Sequence, residues 1–396
     1  MAKQTIRDLT LDGRKLLVRV DFNVPQTKQG EVSDDRRIRA ALPTLNHALE
    51  QGAALLLVSH LGRPTGDPAA DAPFRLDRVA ARLGELLGRP VKTVGDTVGP
   101  EAQAAAAALK PGDVLVLENV RFNKGEKKGD PAFAGQLATL ADAYVNDAFG
   151  TCHRDEASMV AVPEQFAPEA RGIGFLVEKE LQILDTLLKH PKPPMVAVMG
   201  GAKVSDKIGV IENLLPKIEK LLVGGAMTYT FLKAQGHSTG KSRVEADKLD
   251  EARHILGLAG AKLVLPVDHL MAESLDPSCR TWVVAGSDLP DDGIGIDIGP
   301  ATVKLYGEII RAAGTVIWNG PMGKFEDEPF RQGTLGVAEA MAASSGVTVV
   351  GGGETAEAVE QFGFADRVSH VSTGGGAFLE CLEGKSFNSL RVIPDR

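Results

Sequence analysis

The 396-residue chain has only three cysteines, Cys152, Cys279 and Cys381, set far apart with no C-x-x-C pair. That spacing excludes a cysteine zinc site and a disulfide framework, and it fits a reducing cytosol. Long hydrophobic runs are missing too: none approaches the roughly 18 residues of a membrane span. The opening Met1-Ala2-Lys3-Gln4-Thr5-Ile6-Arg7-Asp8 lacks the apolar core of a secretory signal, so a cytoplasmic protein is expected. Nor is there an excess of positive charge. With 44 Lys+Arg against 52 Asp+Glu the net charge is −8, which disfavours nucleic acid and anionic membrane as partners; any polyanion site must be local.

What is present is an ordinary globular composition, 43% hydrophobic and 24% charged. The length exceeds the roughly 250–300 residues at which single cores stop growing, so two or three domains are expected. Short runs rich in Val, Leu and Ile recur at 16–22, 54–60, 114–120 and 143–149. A second set follows at 195–200, 221–225, 262–268, 315–319, 347–351 and 368–372. Segments of helical period separate them at 36–51, 76–87, 101–109, 205–215, 246–258 and 354–362, the alternation of βαβ units and parallel sheets. An amphipathic stretch at 175–189 runs into Pro191-Lys192-Pro193-Pro194, which stops a helix and marks the connection between domains.

The halves differ in their cations: 13 Arg and 8 Lys in residues 1–170, 9 Arg and 14 Lys in 171–396. Arginine forks suit planar recognition of a phosphate or carboxylate, so the first half is the candidate anion-recognising one. Its candidates stand just past the strand runs: Asp21 and Asn23, His60 and Arg63, Arg121, and with them Arg37 and Arg154. The second half ends strand after strand in glycine, at Gly200-Gly201, Gly224-Gly225, Gly351-Gly352-Gly353 and Gly374-Gly375-Gly376. Glycine there lets backbone N–H groups and helix N-termini approach a phosphate. Lys203 and Lys207, directly after one such pair, can converge on the same anion.

Two motifs fail on spacing. Gly236-His237-Ser238-Thr239-Gly240-Lys241-Ser242 has three residues between its glycines where a P-loop needs four, and an apparent helix precedes it. Gly293-Ile294-Gly295-Ile296-Asp297-Ile298 starts like a dinucleotide fingerprint, but Gly299 comes one place late.

Taken in order, Val18-Arg19-Val20-Asp21-Phe22-Asn23-Val24-Pro25, Ser59-His60-Leu61-Gly62-Arg63-Pro64, Leu117-Glu118-Asn119-Val120-Arg121-Phe122 and Asn146-Asp147-Ala148-Phe149-Gly150-Thr151 resemble signature segments of the phosphoglycerate kinases. So do Gly200-Gly201-Ala202-Lys203-Val204, Trp318-Asn319-Gly320-Pro321-Met322-Gly323 and Ser372-Thr373-Gly374-Gly375-Gly376. The resemblance runs almost end to end. It implies two Rossmann-like three-layer α/β/α domains with mainly parallel sheets, joined by a helix and hinge. Residues 1–172 would bind 3-phosphoglycerate, with 385–396 returning to them; 173–190 would connect; 191–384 would bind ATP or ADP with Mg2+.

The implied activity is a glycolytic one, reversible phosphoryl transfer from 1,3-bisphosphoglycerate to ADP in a cytoplasmic monomer that closes about its hinge. By motif position Asp21, Asn23, Arg37, His60, Arg63, Arg121 and Arg154 would hold the acid. Lys207, Gly295, Glu326, Gly352, Gly353, Glu354 and Thr355 would hold the nucleotide. Arg37, Lys203, Gly375 and Gly376 would serve the transferring phosphate. Glu354, where the family pattern has Asp, would be the Mg2+ ligand, reaching it through water. Lys324 and Phe378 are further departures, from an apolar residue and from Ser. The rival readings are a non-catalytic hinged binding protein for a phosphorylated sugar acid, and an ATP-dependent kinase for another carboxylate.

Overall fold

The structure, a computed structural model, describes residues 3–396. The chain folds into two compact units, Met1–Gln182 with Ser386–Arg396, and Ile183–Lys385; the division falls inside the helix Phe175–Lys189. No helix among the described residues is long and apolar enough to cross a membrane.

Among the described residues six strands build the first unit: β1 (Lys15–Val20), β2 (Ala54–Val58), β3 (Lys92–Thr93), β4 (Val114–Val116), β5 (Ala143–Asp147) and β6 (Arg171–Ile173). They lie in the order β3-β4-β2-β1-β5-β6, every pairing parallel. β2, β4 and β5 are buried at every residue, which is why they read as unbroken apolar runs rather than as alternation. The helix Arg36–Glu50 shows how a face is covered, burying Ile38, Ala41, Leu45, Ala48 and Leu49 at helical spacing. The expected strands 16–22, 54–60, 114–120 and 143–149 all end early. The last residues of these runs leave the ladder for side-chain partners: Phe22 N donates to Ser59 Oγ at 2.9 Å, and Asn119 Oδ1 caps the turn Val120–Phe122 by accepting from Arg121 N at 3.1 Å.

Nine strands follow in the second unit: β7 (Met195–Met199), β8 (Lys220–Val223), β9 (Leu263–Val264), β10 (Asp268–Ala272), β11 (Thr281–Ala285), β12 (Ile294–Ile298), β13 (Thr315–Asn319), β14 (Val347–Gly351) and β15 (His370–Val371). The main sheet, β15-β14-β13-β7-β8-β9, is wholly parallel; counted from β7 its order is 3-2-1-4-5-6, that of dinucleotide-binding folds. Trp318, Tyr306, Ile310, Met322, Val337 and Val350 are part of its core.

A separate antiparallel sheet, β11-β10-β12, was not expected. It corrects the run 262–268, which breaks at Pro266, a residue with no N–H for a ladder, so that β9 stops at Val264 and β10 starts at Asp268. The expected helix 205–215 starts only at Ile208. Glu245 accepts from Val204 N at 2.5 Å and from Ser205 Oγ at 2.7 Å, holding both residues outside the helix. The expectations at 175–189, 315–319 and 347–351 coincide with the observed elements.

In each unit two adjacent strands send their chains to opposite sides: β1 and β5 in the first, β7 and β13 in the second. Ligands of open α/β sheets bind outside the carboxyl ends of such a pair.

Candidate active site

The first unit gathers its candidates at that edge. Asp21, just past β1, accepts from Arg37 NH1 at 2.8 Å. Asn23 Oδ1 accepts from Gly62 N at 2.8 Å, tying the loop after β1 to the loop after β2. Arg121, past β4, donates to Gly62 O at 3.0 Å and to Glu156 Oε1 at 2.6 Å. Arg154, past β5, lies 3.7 Å from the same Glu156 oxygen. Arg63 is exposed and has no protein partner among the described residues.

His60, past β2, is buried. Burial first, and then the charges of Arg19, Arg121, Arg154 and Arg37, hold its imidazole well below the ordinary value, so the ring is neutral near pH 7. Glu156 is the counterion at the centre. Burial alone would raise its carboxyl, but the Arg121 hydrogen bond and the charges of Arg19, Arg121 and Arg154 hold it below the ordinary range.

Beneath this edge lies a buried network that the sequence reading passed over. Arg19, fully buried in β1, donates through Nε to Ser158 Oγ at 2.8 Å, through NH1 to Val20 O at 2.5 Å and through NH2 to His60 Nδ1 at 3.2 Å. Ser158 in turn bonds Glu126, Oγ to Oε1 at 2.5 Å and N to Oε2 at 2.9 Å. The signal was an arginine inside the apolar run Leu16-Leu17-Val18-Arg19-Val20, where a charge survives only with partners.

The second unit divides its glycines into two kinds. Gly200, Gly201, Gly224 and Gly225 all donate their N–H groups to backbone carbonyls, of Asn319, Pro321, Met199 and Met322 respectively. A Cβ on Gly200 or Gly225 would overlap neighbouring backbone, so these glycines serve close packing, a correction to their reading as phosphate donors. The others open helices. Gly353 starts the helix Gly353–Gln361 after Gly352 at φ 96°, and Gly376 starts the helix Gly376–Leu382 after Gly375 at φ 42°. Neither helix has a side-chain cap, so first-turn N–H groups remain for an anion.

Lys203 is exposed and unpartnered among the described residues. Lys207 is buried and its ammonium bonds Asn319 Oδ1, joining the segment after β7 to the end of β13. Burial lowers that ammonium from its ordinary value, against the opposing charges of Asp206, Glu354 and Glu383. Thr355 is buried, its Oγ1 accepting from Gly320 N at 2.7 Å. Gly295 N donates to Ser242 Oγ at 2.8 Å, and a Cβ there would overlap the Tyr229 ring. Glu326 and Glu354 are exposed. Lys324 pairs with Asp327, and Phe378 is fully buried against Gly351.

Among the described residues no three His, Cys, Asp or Glu side chains group as a metal site. A lone carboxylate, Glu354 in the first turn of its helix, suits Mg2+, which binds through one or two carboxylates, water and substrate phosphates.

An arginine-lined strand edge on one parallel α/β unit and uncapped, glycine-led helices on another define the class, a phosphotransferase built on two nucleotide-type folds. The family model of phosphoglycerate kinase matches residues 6–385. Curated phosphoglycerate kinases from Rhodopirellula baltica and Rubrobacter xylanophilus are each 52% identical over 100% of this chain and over 100% and 99% of theirs. A solved phosphoglycerate kinase from Coxiella burnetii has a TM-score of 0.87 at 39% identity, covering 99% of this chain and 98% of that one. The chain belongs to the phosphoglycerate kinase family, phosphotransferases with a carboxyl group as acceptor.

Proposed function

We propose that the chain reversibly transfers the acyl phosphate of 1,3-bisphosphoglycerate to ADP with Mg2+, giving 3-phosphoglycerate and ATP. The functional division is 1–172 with 385–396 for the acid, 191–384 for the nucleotide, and 173–190 as the hinge between them. The observation that carries this reading is the convergence of Arg37, His60, Arg121 and Arg154 on one strand edge, where the charges of all three arginines act on the His60 ring.

A carboxylate is ionised at pH 7, so the acid side of the reaction needs no general base. What it needs is orientation and positive charge around the phosphoryl group. Arg121, Arg154, Arg63, His60 and Asn23 bind and orient the acid, with Asp21 holding Arg37 in place at 2.8 Å. Lys207, Gly295, Glu326, Gly352, Gly353 and Thr355 form the nucleotide side. Arg37 and Lys203 stabilise the transferring phosphoryl group, with the Gly375 and Gly376 N–H groups. Glu354 would hold Mg2+ through water, and when bound the ion supplies neutralising charge on the nucleotide phosphates.

The test follows ATP- and 3-phosphoglycerate-dependent formation of 1,3-bisphosphoglycerate as NADH loss through coupled glyceraldehyde-3-phosphate dehydrogenase, with and without Mg2+. Turnover that needs both substrates and the metal is expected. Folded protein that binds either ligand but turns over neither would overturn the reading. The same reading makes the protein a cytoplasmic monomer, which sedimentation at assay concentration checks for oligomeric state.

A further inference from the structure

Arginine has five N–H donors and no acceptor, so whatever ring nitrogen it meets must offer a lone pair. Arg19 NH2 meets His60 Nδ1 at 3.2 Å, and Arg19 cannot swing away. Its Nε is held by Ser158 Oγ at 2.8 Å, its NH1 by Val20 O at 2.5 Å, and its side chain is fully buried. Because Ser158 Oγ accepts from Arg19, its own hydrogen is directed to Glu126 Oε1 at 2.5 Å. The other ring nitrogen, Nε2, has no protein partner among the described residues.

We propose that Arg19 is a positioning residue that locks His60 in the neutral tautomer protonated at Nε2, so that the acid site presents one fixed N–H donor and never an imidazolium. This rests on the reading of His60 as an acid-binding residue. The charged groups around the ring are Arg19 on β1, Asp21 after it, Arg37 on the following helix, Arg121 after β4, and Arg154 and Glu156 after β5, with Glu126 behind Ser158. The arginines outnumber the acids and favour the neutral ring. An unlocked histidine would charge below about pH 6.5 and tighten anion binding as pH falls. The locked one keeps binding independent of imidazole titration.

The decisive measurement is long-range 1H–15N NMR of the full chain, labelled at histidine, from about pH 8 to about pH 5.5. An unprotonated Nδ1 and a protonated Nε2, constant across that range, are expected. A proton on Nδ1, or titration of His60 near its ordinary value, overturns the lock. Arg19→Lys keeps the charge but cannot serve His60 and Ser158 together. In that variant mixed tautomers and a KM for 3-phosphoglycerate raised about tenfold, with kcat nearly kept, are expected. If Arg19→Lys does not fold, the spectrum of the native chain still decides. If the tautomer is as stated but His60→Gln leaves that KM unchanged, the assignment of His60 to the acid site fails and the lock stands.

Discussion

Arg37 and Lys203, the two cations proposed to face the transferring phosphate, are lightly held by the fold. Arg37 is half-exposed with one partner, Asp21, and Lys203 has none among the described residues. Side chains so lightly used by the fold are free to spend their charge on a phosphoryl group. Arg37→Ala and Lys203→Ala should each lower turnover roughly a thousandfold while the circular dichroism and unfolding midpoint stay near native. Near-normal turnover in either variant would remove that residue from the chemistry. His269 is the opposite case: fully buried, tilted against the Tyr229 ring with centroids 5.7 Å apart, with no partner for either ring nitrogen among the described residues. Burial pulls its pKa down to about 4 from 6.5, so the unfolded chain takes up the proton first. Its contribution is complete above pH 6.5 and is lost as pH falls toward 4. Urea unfolding at about pH 7 and about pH 5 should show the native chain losing roughly 1–2 kcal/mol more than His269→Leu. Equal losses would mean the ring is hydrated in place.

Helix starts are where side chains meet backbone, and Asp147 at the end of β5 governs one. Its Oδ1 accepts from Leu176 N at 3.0 Å and from Val177 N at 3.4 Å, the first turn of Phe175–Lys189, while Phe175 N donates to Thr44 Oγ1 at 2.9 Å. Oδ2 is buried with no hydrogen-bond partner among the described residues, and burial, opposed by the Thr44 hydroxyl and the Val177 and Leu176 N–H groups, raises the carboxyl to about 7. A folded-state pKa above the unfolded value means stability that is complete below about pH 4 and lost as pH rises to about 7. Asp147→Asn keeps the accepting oxygen and cannot ionise, so denaturation at about pH 8 should find it more stable than the native chain, with the gap narrowed at about pH 5 and closed below about pH 4. Asp147→Ala, which loses the cap, should cost about 1–2 kcal/mol below about pH 4, a cost that shrinks as pH rises because Ala does not ionise either. A pH-independent Asn variant would place the carboxylate in contact with water. Strands and long helices were legible in the sequence because burial on both faces writes them as continuous apolar runs, as in β13 and β14. The antiparallel sheet was not, because β11 alternates between exposed and half-buried residues and carries no such run. Site residues at strand ends were legible from their position; the network of Arg19, Ser158, Glu126 and Glu156 was not, since it is assembled by partners 32 to 139 residues apart in sequence.

On the scale of the whole chain, the last residues matter more than their number suggests. Ser386–Arg396 belongs to the first unit although the second precedes it in sequence. It buries Phe387 and Ile393, and pairs with the amino-terminal segment through Gln4 N to Pro394 O at 2.9 Å and Lys3 Nζ to Ile393 O at 3.0 Å. It also reaches the site. Ser389 Oγ donates to Cys152 O at 2.6 Å and Asn388 Nδ2 to Asp155 Oδ2 at 3.1 Å, bracketing the loop that carries Arg154. Deleting 386–396 removes two buried apolar side chains whose burial is worth about 1.5–3 kcal/mol each, enough to lower the unfolding midpoint of the first unit. Ser389→Ala is the finer probe. It removes one buried bond of about 1 kcal/mol and leaves the Cys152 carbonyl unpaired, so the loop loosens without the unit unfolding. The KM for 3-phosphoglycerate should then rise several-fold while the KM for ATP stays unchanged, because the residues proposed for the nucleotide lie on the other unit. A parallel rise in both constants would show that the segment supports the fold at large; a rise confined to the acid ties the end of the chain to the placement of Arg154.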